Sequence, residues 1–359
     1  MNRYSRHIIL SEIGPEGQKK LSSARVMVVG AGGLGCPALQ YLVAAGVGSI
    51  GIIDHDLVEE SNLQRQVLFG TSSLGKNKAE AAKKRLEDLN PTIHIRSFPT
   101  QLNALNALEI LSNYDIILDG TDNFETRYLI NDAAILLNKP VVFGAIYKFE
   151  GQVSVFNYRE GPSYRCMFAF PPKASSVANC SDVGVLGVLP GIIGSMQANE
   201  VIKMILEFDG VLSGKLLCYD ARSATTNFIT ISRRQDEINK VLSQRDNFVE
   251  IHSTPEVSCH IAEISVDEVL KMKDVQFIDI REPGELPVVE LPNCIKIPLG
   301  SLEENISEIN SEKNIVTFCR SGIRSKNAVT LLLANNITSC YSLKGGALAL
   351  EPAIKSLIK

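Results

Sequence analysis

The sequence of 359 residues has no large excess of charge of either sign, no long apolar run and no cysteines in a CxxC pair. The net charge of -4 gives no general reason to expect nucleic acid or an anionic membrane as a partner. The most apolar stretch, VGVLGVLPGIIGSM, is interrupted by Gly and Pro and is too short to cross a bilayer. The N-terminus, MNRYSRHIIL, is not typical of a signal peptide. We therefore expect a cytoplasmic enzyme.

The eight cysteines are scattered along the chain, at positions 36, 166, 180, 218, 259, 294, 319 and 340. Without a secretory context, this spacing does not favour disulfides. Most of these cysteines are therefore expected to be small, buried and reduced. Cys180 and Cys319 lie in segments that indicate chemistry and are considered below.

Short apolar strands alternate with helix-forming segments through the first half of the sequence. RVMVV (25–29) and SIGIID (49–54) are strand-like, and GKNKAEAAKKRLEDLN has the composition of an amphipathic helix. Apolar strands that alternate with helices predict an α/β fold whose parallel sheet is covered on both faces. YKFEGQVSVF then alternates like an antiparallel strand pair, so the sheet is expected to be mixed.

The second half of the sequence predicts a linker and a smaller domain. Residues 232–261 are polar and charged and are interpreted as the linker. Beyond them, FIDIREPGE, NIVTFCRSGIR and ITSCYSLKGG continue an α/β rhythm over roughly a hundred residues, enough for a small domain. The predicted domains are therefore 1–231 and 262–359.

A glycine-rich turn and an acidic residue indicate a nucleotide site in the first domain. Gly30, Gly32 and Gly35 form GxGxxG between a strand and a helix, and Asp54 ends the second strand. In such sites glycines let a phosphate approach the backbone, and the acidic residue accepts hydrogen bonds from a ribose. This pattern alone favours a nicotinamide-dependent oxidoreductase.

Further polar side chains argue for a triphosphate instead. Asn62, Arg65 and Gln66 follow in the segment DHDLVEESNLQRQ, and Lys78 begins the next helix. Asp122, in DGTDN, follows a predicted strand at the sheet edge where ligands of open α/β sheets bind. The cations offset the charge of a pyrophosphate leaving group, and the carboxylate suits Mg²⁺. The sequence thus predicts ATP and Mg²⁺, with Asp122 as the metal ligand.

Several segments within residues 1–231 resemble the MoeB/ThiF family, the bacterial relatives of ubiquitin-activating enzymes. They are RYSRHI, GAGGLG, DHDLVEESNLQRQ, GKNKA, DGTDNFETRYLIND and GVLPGIIGSMQANEVIKM. The resemblance implies a Rossmann-like nucleotide-binding domain that adenylates a small ubiquitin-like sulfur carrier of the MoaD/ThiS type. The acceptor would be the carboxylate of a C-terminal Gly-Gly, which becomes a mixed anhydride with AMP as a good leaving group.

The same resemblance implies roles for individual residues. Asp54 would bind the ribose and Asp122 the Mg²⁺. The residues that would bind phosphates are Asn62, Arg65, Gln66 and Lys78. Arg6, in RYSRHI, resembles an arginine that reaches into the partner subunit's site, so a homodimer is implied. From the residues alone, Arg6 is only an exposed or paired cation.

CRSGIR (319–324) follows the strand NIVTF and precedes a helix. Cys319 should therefore lie in a cradle of backbone N–H groups, with Arg320 and Arg324 nearby, and all three features favour a thiolate or persulfide anion. With FIDIREPGE before it and LKGG after it, residues 262–359 resemble a rhodanese domain, which carries sulfane sulfur on the loop cysteine. The sequence departs from that family at ELPVVELPNC and lacks a Trp after LKGG.

Cys180 lies in SSVANCSDVGVLG, which is typical of a loop. Sulfur-transferring relatives keep a cysteine at this place, so the resemblance implies that Cys180 accepts sulfur or helps to resolve an acyl species. Relatives also often bind zinc through two CxxC pairs. Here the first pair reads SYRC, with Ser163 at one position, and the second pair is absent. Since structural zinc needs four ligands, we predict none.

The leading interpretation is an adenylyltransferase fused to a sulfurtransferase that produces a carrier thiocarboxylate. A second interpretation keeps the adenylation and makes the rhodanese domain a docking module. A third is the nicotinamide-dependent oxidoreductase. The sulfur donor, such as a cysteine desulfurase or thiosulfate, stays open. The final product that receives the sulfur also stays open, and could be molybdopterin, thiamine, cysteine or a thiolated tRNA base.

Overall fold

The computed structural model describes residues 3–172, 184–252, 262–335 and 337–357. The chain divides into two compact units. The described residues up to 252 belong to the first unit, and those from 262 onwards belong to the second. Cys180 lies outside the described residues.

An eight-stranded mixed sheet forms the centre of the first unit, in the order β3-β2-β1-β4-β5-β6-β7-β8. Strands β1 to β5 pair in parallel and β5 to β8 pair antiparallel. The strands are β1 (Arg25–Val29), β2 (Ser49–Ile53), β3 (His94–Phe98), β4 (Ile116–Asp119), β5 (Val141–Tyr147), β6 (Glu150–Phe156), β7 (Lys215–Asp220) and β8 (Thr225–Thr230). The predicted mixed sheet is confirmed.

Helices connect these strands and pack on the sheet. They are α1 (Ser5–Ile8), α2 (Gly14–Ser23), α3 (Gly35–Ala45), α4 (Lys78–Leu89), α5 (Ala107–Ser112), α6 (Phe124–Leu137), α7 (Tyr164–Met167), α8 (Leu189–Leu206), α9 (Gln235–Ser243) and α10 (Phe248–His252). The long helix α8 has Pro190 in its first turn, as its sequence predicts.

Alternate residues of the central strand enter two different cores. Val26 and Val28 belong to one cluster of buried side chains, whereas Met27 and Val29 belong to another. All four side chains are buried because helices cover both faces of the sheet. The strand sequence is therefore apolar without alternation, and its polar neighbours are confined to the strand ends.

Residues 232–252, which the sequence analysis assigned to the linker, form helices α9 and α10 on the first unit. Ile238 and Phe248 are buried in the core that α6 also enters. Arg245 donates from Nη2 to the carbonyl of Leu136 (2.7 Å), and His252 lies 2.8 Å from Asp132. Few apolar residues are needed for this packing, because most of each helix faces solvent. That is why the composition resembled a linker.

The second unit is a five-stranded parallel sheet, in the order β11-β10-β12-β13-β9. Its strands are β9 (Glu263–Ile264), β10 (Val275–Asp279), β11 (Cys294–Lys296), β12 (Asn314–Phe318) and β13 (Cys340–Leu343). The helices are α11 (Val266–Val269), α12 (Ile323–Ala334) and α13 (Gly346–Leu357). Buried clusters lie on both faces of this sheet as well. No helix among the described residues of either unit is long and apolar enough to span a membrane.

Candidate functional site

A cavity of about 380 Å³ opens at the carboxyl ends of β1, β2 and β4 in the first unit. This edge is where ligands of open parallel sheets bind, because the connecting loops diverge there. Among the residues predicted to bind the nucleotide, those lining the cavity are Gly30, Gly32, Asp54, Asn62, Arg65, Gln66, Lys78 and Asp122. The structure thus brings together side chains from four separate stretches of sequence.

The glycine-rich turn after β1 packs tightly against the end of β4. Gly30 has φ of +90°, and a Cβ there would lie 2.9 Å from the carbonyl oxygen of Gly120. Gly35 opens α3, and a Cβ on it would overlap the carbonyl oxygen of Gly30. Larger residues are excluded at both positions, so the N-terminus of α3 lies close to the cavity. Gly35 acts in this packing and does not itself line the cavity.

Asp54 directly follows β2 and is held by two backbone groups. Its Oδ2 accepts from the N–H of Ala31 (2.8 Å) and its Oδ1 from that of Asp56 (2.9 Å). Burial raises the pKa of the Asp54 carboxyl, and this outweighs the opposite effects of these hydrogen bonds and of Lys78. The carboxylate is fixed at the cavity wall, where it is suited to accept hydrogen bonds from a sugar.

The segment after Asp54 turns Asn62, Arg65 and Gln66 toward the cavity. A short 3-10 turn covers Glu60–Asn62, and the Oδ1 of Asn62 accepts from the N–H of Glu59 (3.2 Å). Within the described residues, Arg65 donates one side-chain hydrogen bond, from Nη1 to the carbonyl of Ser61 (3.0 Å). Its remaining N–H groups are therefore available to an anion.

Gln66 is 4% exposed, and its Oε1 has no hydrogen-bond partner within the part of the chain that the structure describes. A buried polar atom without a partner costs roughly 1–3 kcal/mol. A ligand that donates to this oxygen would remove that cost. The cavity wall therefore fits a polar occupant.

Lys78 begins α4 and is 6% exposed. Its Nζ lies 2.7 Å from Oδ2 of Asp56, which also lines the cavity. Sequence reasoning missed Asp56, although it stands in the same DHD segment. An ammonium group has three donors, so the ion pair fixes Lys78 and leaves further N–H groups for phosphate oxygens.

Asp122 is exposed in the cavity at the end of β4. Its loop is stiffened by Asp119, whose Oδ1 accepts from the N–H (2.9 Å) and the Oγ1 (2.6 Å) of Thr121. Arg127 donates to the carbonyl of Thr121 (3.0 Å) and lies 5.4 Å from the centroid of the Phe143 ring. Asp119 and Arg127 were not predicted as site residues, because nothing in a single sequence distinguishes them from structural residues of β4 and α6.

The opposite side of the cavity was also missed by the sequence analysis. Tyr147 and Lys148, where β5 turns into β6, line it together with Gly184 and Val185. Lys148 has φ of +52°, and it forms an isolated parallel bridge with Val185. Gly184 and Val185, which follow the Cys180 segment in sequence, are therefore part of the wall of this cavity.

Two predicted features lie away from the cavity. Arg6 is on α1, is exposed, and forms no ion pair within the described residues. Ser163 and Cys166, from SYRC, are buried beside α7. The backbone N–H groups of Ser163 and Arg234 both donate to Sγ of Cys166, each at 3.3 Å. Cys166 thus takes part in a hydrogen-bonded contact, and the prediction of no zinc stays a prediction.

In the second unit, Cys319 follows β12 and is 1% exposed. Gly322, with φ of +95°, donates from its N–H to Sγ of Cys319 (3.1 Å) at the start of α12. The hydroxyl of Ser325 lies 3.9 Å from the same sulfur. We call residues 319–324 the sulfur loop. Within the described residues, the backbone of this loop offers the N–H of Gly322 to the sulfur, and stabilisation of a sulfur anion there stays a prediction.

The arginines of the sulfur loop differ from each other. Arg320 is exposed. Arg324 instead forms a bidentate ion pair with Glu285, at 2.8 and 2.6 Å. Both arginines were predicted to support the anion, whereas the charge of Arg324 is offset by the ion pair with Glu285. Glu285 was not identified as a site residue.

Comparison with known proteins identifies both units. The ThiF family model matches residues 4–240, and the Rhodanese-like domain model matches residues 265–351. The chain is 38% identical to the probable adenylyltransferase/sulfurtransferase MoeZ of Mycobacterium tuberculosis, covering 97% of this chain and 92% of that protein. It is 40% identical to the adenylyltransferase and sulfurtransferase MOCS3 of Culex quinquefasciatus, covering 91% and 81%.

The first unit has relatives of its own. It is 52% identical to the sulfur carrier protein adenylyltransferase of Thermus thermophilus, over 65% of this chain and 88% of that protein. A crystal structure of E. coli MccB with ATP matches with a TM-score of 0.57 at 24% identity, covering 65% of this chain and 72% of that one, which supports the fold alone. The predicted family and fold are confirmed. The chain belongs to the ThiF family and carries a rhodanese-like domain after its ThiF domain.

Proposed function

We propose that this protein adenylates the C-terminal glycine of a ubiquitin-like sulfur carrier with ATP and then converts it to a thiocarboxylate with sulfur from Cys319. The observation that carries the proposal is the convergence of Asp54, Arg65, Lys78 and Asp122 on one cavity, in a chain that also holds a cradled cysteine. The names of the relatives, which combine adenylyltransferase with sulfurtransferase, support the same assignment. A hydride-transfer reaction, the alternative considered above, would not need this cluster of cations.

In the first reaction, a carboxylate oxygen of the carrier attacks the α-phosphorus of ATP. The bond from that phosphorus to the bridging oxygen breaks, and pyrophosphate leaves with the electron pair. The products are the acyl adenylate and pyrophosphate. Arg65 and Lys78 are the cations that would offset the growing charge on the leaving group, while Asp54 would hold the ribose. Lys78 is already fixed by Asp56, so little reordering is needed.

Mg²⁺ fits this cavity on the chemistry of its donors. Asp122 offers an exposed carboxylate, and within the described residues no hydrogen bond or ion pair engages it. Carboxylate oxygen is the ligand that Mg²⁺ prefers, usually with phosphate oxygens of the substrate. When bound, the ion would supply positive charge beside the phosphates. The hydrogen bonds of Thr121 to Asp119 restrain the backbone just before Asp122.

Residues 262–359 form the proposed sulfurtransferase domain. The persulfide anion of Cys319 would attack the acyl carbon of the adenylate, and AMP would leave. The product is an acyl persulfide on Cys319. A thiolate, which we assign to Cys180, would then attack Sγ of Cys319, releasing the carrier thiocarboxylate and leaving a disulfide for a cellular thiol to reduce.

Two observations about the first unit support further parts of the proposal. Gly184, four residues after Cys180, lines the nucleotide cavity, which favours a role for Cys180 there. Arg6 is an exposed cation without an ion pair within the described residues, as expected of a residue that serves a partner subunit in a homodimer. Mixing Arg6→Ala with Asp122→Ala protein should restore part of the activity if the subunits share sites.

The test of the adenylation is carrier-dependent exchange between ATP and pyrophosphate. Asp122→Ala should abolish this exchange while the protein keeps its thermal midpoint, because the carboxylate is exposed and supports no packing. Asp236→Ala, at an exposed acid of α9, is the matched control and should exchange normally. Exchange by Asp122→Ala at the wild-type rate would disprove the nucleotide site.

A further inference from the structure

A second, much smaller cavity adjoins the nucleotide cavity of the first unit. Its volume is about 10 Å³, which is enough for one water molecule. The apolar part of its wall includes Phe143 and Phe156, and the polar part includes Asp119, Arg127 and Tyr164. Arg127 also lines the nucleotide cavity, so this one side chain separates the two spaces.

The guanidinium of Arg127 is enclosed and held at one end. Arg127 is 9% exposed and lies near the start of α6. Its guanidinium carbon lies 5.4 Å from the ring centroids of both Phe124 and Phe143. Its Nη2 donates to the carbonyl of Thr121 (3.0 Å), in the wall of the nucleotide cavity. The guanidinium is therefore fixed to the turn at Thr121, directly before Asp122.

Another donor of the same guanidinium has no acceptor. The Nε of Arg127 is buried and has no hydrogen-bond partner among the residues that the structure describes. Buried polar atoms of proteins nearly always find a partner, either in the protein or in ordered water. Because Arg127 lines the small cavity, that cavity is where a partner for Nε has room.

The other polar groups of the small cavity suit the same partner. Oδ1 of Asp119 accepts from the N–H and the hydroxyl of Thr121, whereas no hydrogen bond from a described residue reaches Oδ2. Burial raises the pKa of Tyr164, which the nearby Arg127 lowers and the nearby Asp119 raises. The Tyr164 hydroxyl thus lies close to both charges. The amide of Asn131, also in the wall, is already engaged by two hydrogen bonds.

These groups indicate the chemical class of the occupant. A cation would lie against the guanidinium of Arg127, and an anion would lie against the carboxyl of Asp119. Burial raises the pKa of Asp119, and this outweighs the opposite effects of Arg127 and Thr121. Water both donates and accepts, so it fits the ionised and the protonated form of that carboxyl. A neutral molecule of this size and bonding capacity is water.

We propose that the small cavity binds one water molecule, which joins Arg127 to Asp119 and thereby restrains the turn at Thr121. The water accepts from Nε, and it bonds to Oδ2 of Asp119 and to the hydroxyl of Tyr164. Three partners are typical of a buried water. Since both charged side chains also bond to Thr121, the water closes a ring of hydrogen bonds just before Asp122. The water site stands apart from the proposed function, whereas its effect on Asp122 rests on that function.

The direct test is a crystal structure of the full chain at a resolution that shows ordered water. A water should lie within about 3.2 Å of the Nε of Arg127 and within the same distance of Asp119. An empty cavity would overturn the proposal. So would a direct hydrogen bond from Nε to Asp119, because the ring would then close without water.

The effect on Asp122 is tested with Tyr164→Phe, which removes one partner of the water and keeps the aromatic ring. The Mg²⁺ concentration for half-maximal carrier-dependent exchange should rise roughly three- to tenfold, the usual worth of one hydrogen bond. A merely structural role would reduce the amount of folded protein, which lowers the maximal rate and leaves the Mg²⁺ requirement unchanged.

Tyr114→Phe is the matched control for Tyr164→Phe. Tyr114 is 5% exposed, belongs to the same buried cluster and lines neither cavity. This variant should keep the Mg²⁺ requirement of wild type. Equal requirements in Tyr164→Phe and Tyr114→Phe would overturn the link between the water and Asp122.

Arg127→Lys tests whether the groups act as one ring. Lysine keeps the charge, but its single nitrogen cannot reach the carbonyl of Thr121 and the small cavity at once. The Mg²⁺ requirement should therefore rise. Combining Arg127→Lys with Tyr164→Phe should add little to the larger single effect, since both break the same ring. Effects that multiply would show two independent contacts and overturn the ring.

Failure of this inference can be told from failure of the proposed function. Normal exchange by wild-type protein whose small cavity is empty would overturn the water site alone. No carrier-dependent exchange by the wild-type protein would overturn the proposed function and the effect on Asp122, while the crystal structure would still decide the water site.

Discussion

The nucleotide cavity of the first unit and the sulfur loop of the second lie at the same kind of place in their sheets. Each begins at the carboxyl end of a parallel strand and leads into the N-terminus of a helix. In the cavity, Lys78 and Arg65 bring cationic side chains to the ligand. In the sulfur loop, the N–H of Gly322 contacts the sulfur, while Arg324 is offset by Glu285.

The difference follows from the anions that the two sites are proposed to hold. A triphosphate has several negative charges spread over many oxygens, so it needs cationic side chains with several donors. A thiolate has one charge on one atom, and a few backbone N–H groups suffice. Two similar loops can thus serve different chemistry through the choice of side chains around them.

The largest effect is expected from Cys319→Ala, which should abolish sulfur transfer and leave pyrophosphate exchange intact. The anion of the sulfur loop is then gone, while the cavity of the first unit is unchanged. Cys294→Ala is the matched control, because burial raises the pKa of Cys294 to about 11 and its thiol stays protonated. Thiocarboxylate formation and exchange should be measured in parallel. Sulfur transfer by Cys319→Ala would refute the role of the sulfur loop.

The next effect concerns a side-chain cation of the cavity. Arg65→Ala should lower carrier-dependent exchange about 10²-fold, as loss of one transition-state charge donor commonly does. Lys84→Ala, at an exposed residue of α4, removes the same charge outside the cavity and should have little effect. Persulfide loading of Cys319 should be normal in both variants. Equal exchange rates in the two variants would contradict the assignment of Arg65.

A smaller effect is expected from the backbone of the sulfur loop. Gly322→Ala puts a side chain on a residue with φ of +95° and a Cβ 3.0 Å from the carbonyl oxygen of Leu343. The cost should be about 1–3 kcal/mol of stability, and movement of the N–H from Sγ should slow persulfide loading about tenfold. Thermal unfolding and donor kinetics measure the two effects.

Gly284→Ala separates these contributions. Gly284 has φ of +91°, but a Cβ there would meet no atom within 4 Å. It should therefore cost stability through backbone strain alone, without the clash. Unfolding midpoints that fall equally in the two variants would mean that the contact with Leu343 is unimportant.

Much of the cavity could be predicted because its residues belong to compact sequence motifs. Gly30, Asp54 and Lys78 each stand at the start or end of a strand or helix, where the order of the elements determines their position. Asp56 and Lys148 were missed, since their roles depend on contacts between residues far apart in the chain. Glu285 was missed for the same reason. Its ion pair spans 39 positions, and spacing alone does not indicate it.

The C-terminal boundary of the first unit shows a different limit of prediction from sequence. Residues 232–252 have the polar composition of a linker, yet Ile238, Val241 and Phe248 bury one stripe of each short helix. A helix of two or three turns needs few apolar residues to pack, so composition averaged over a segment hides them. The spacing of the apolar residues along the helix, rather than their number, indicates that the helix packs against the core.

The last expected effect separates the two regions by their sensitivity to acid. Burial raises the pKa of Asp54, whereas the hydrogen bonds from Arg324 lower that of Glu285. A ribose needs the ionised form of Asp54, so ATP affinity should fall as the pH falls through this raised pKa. Because one proton is involved, the loss is at most about tenfold per pH unit. The charge of Glu285 should persist over the same range.

Calorimetric titration with ATP, from neutral pH downward through the acidic range, measures this dependence. Asp54→Asn should bind more weakly at high pH and lose the slope, since the titrating carboxyl is gone. His55→Gln, which removes the neighbouring imidazole at the cavity wall, should keep the slope. Binding to wild type should also release protons in the acidic range, because a bound ribose stabilises the carboxylate. If ATP affinity changes with pH as steeply in Asp54→Asn as in wild type, a group other than Asp54 causes the pH dependence.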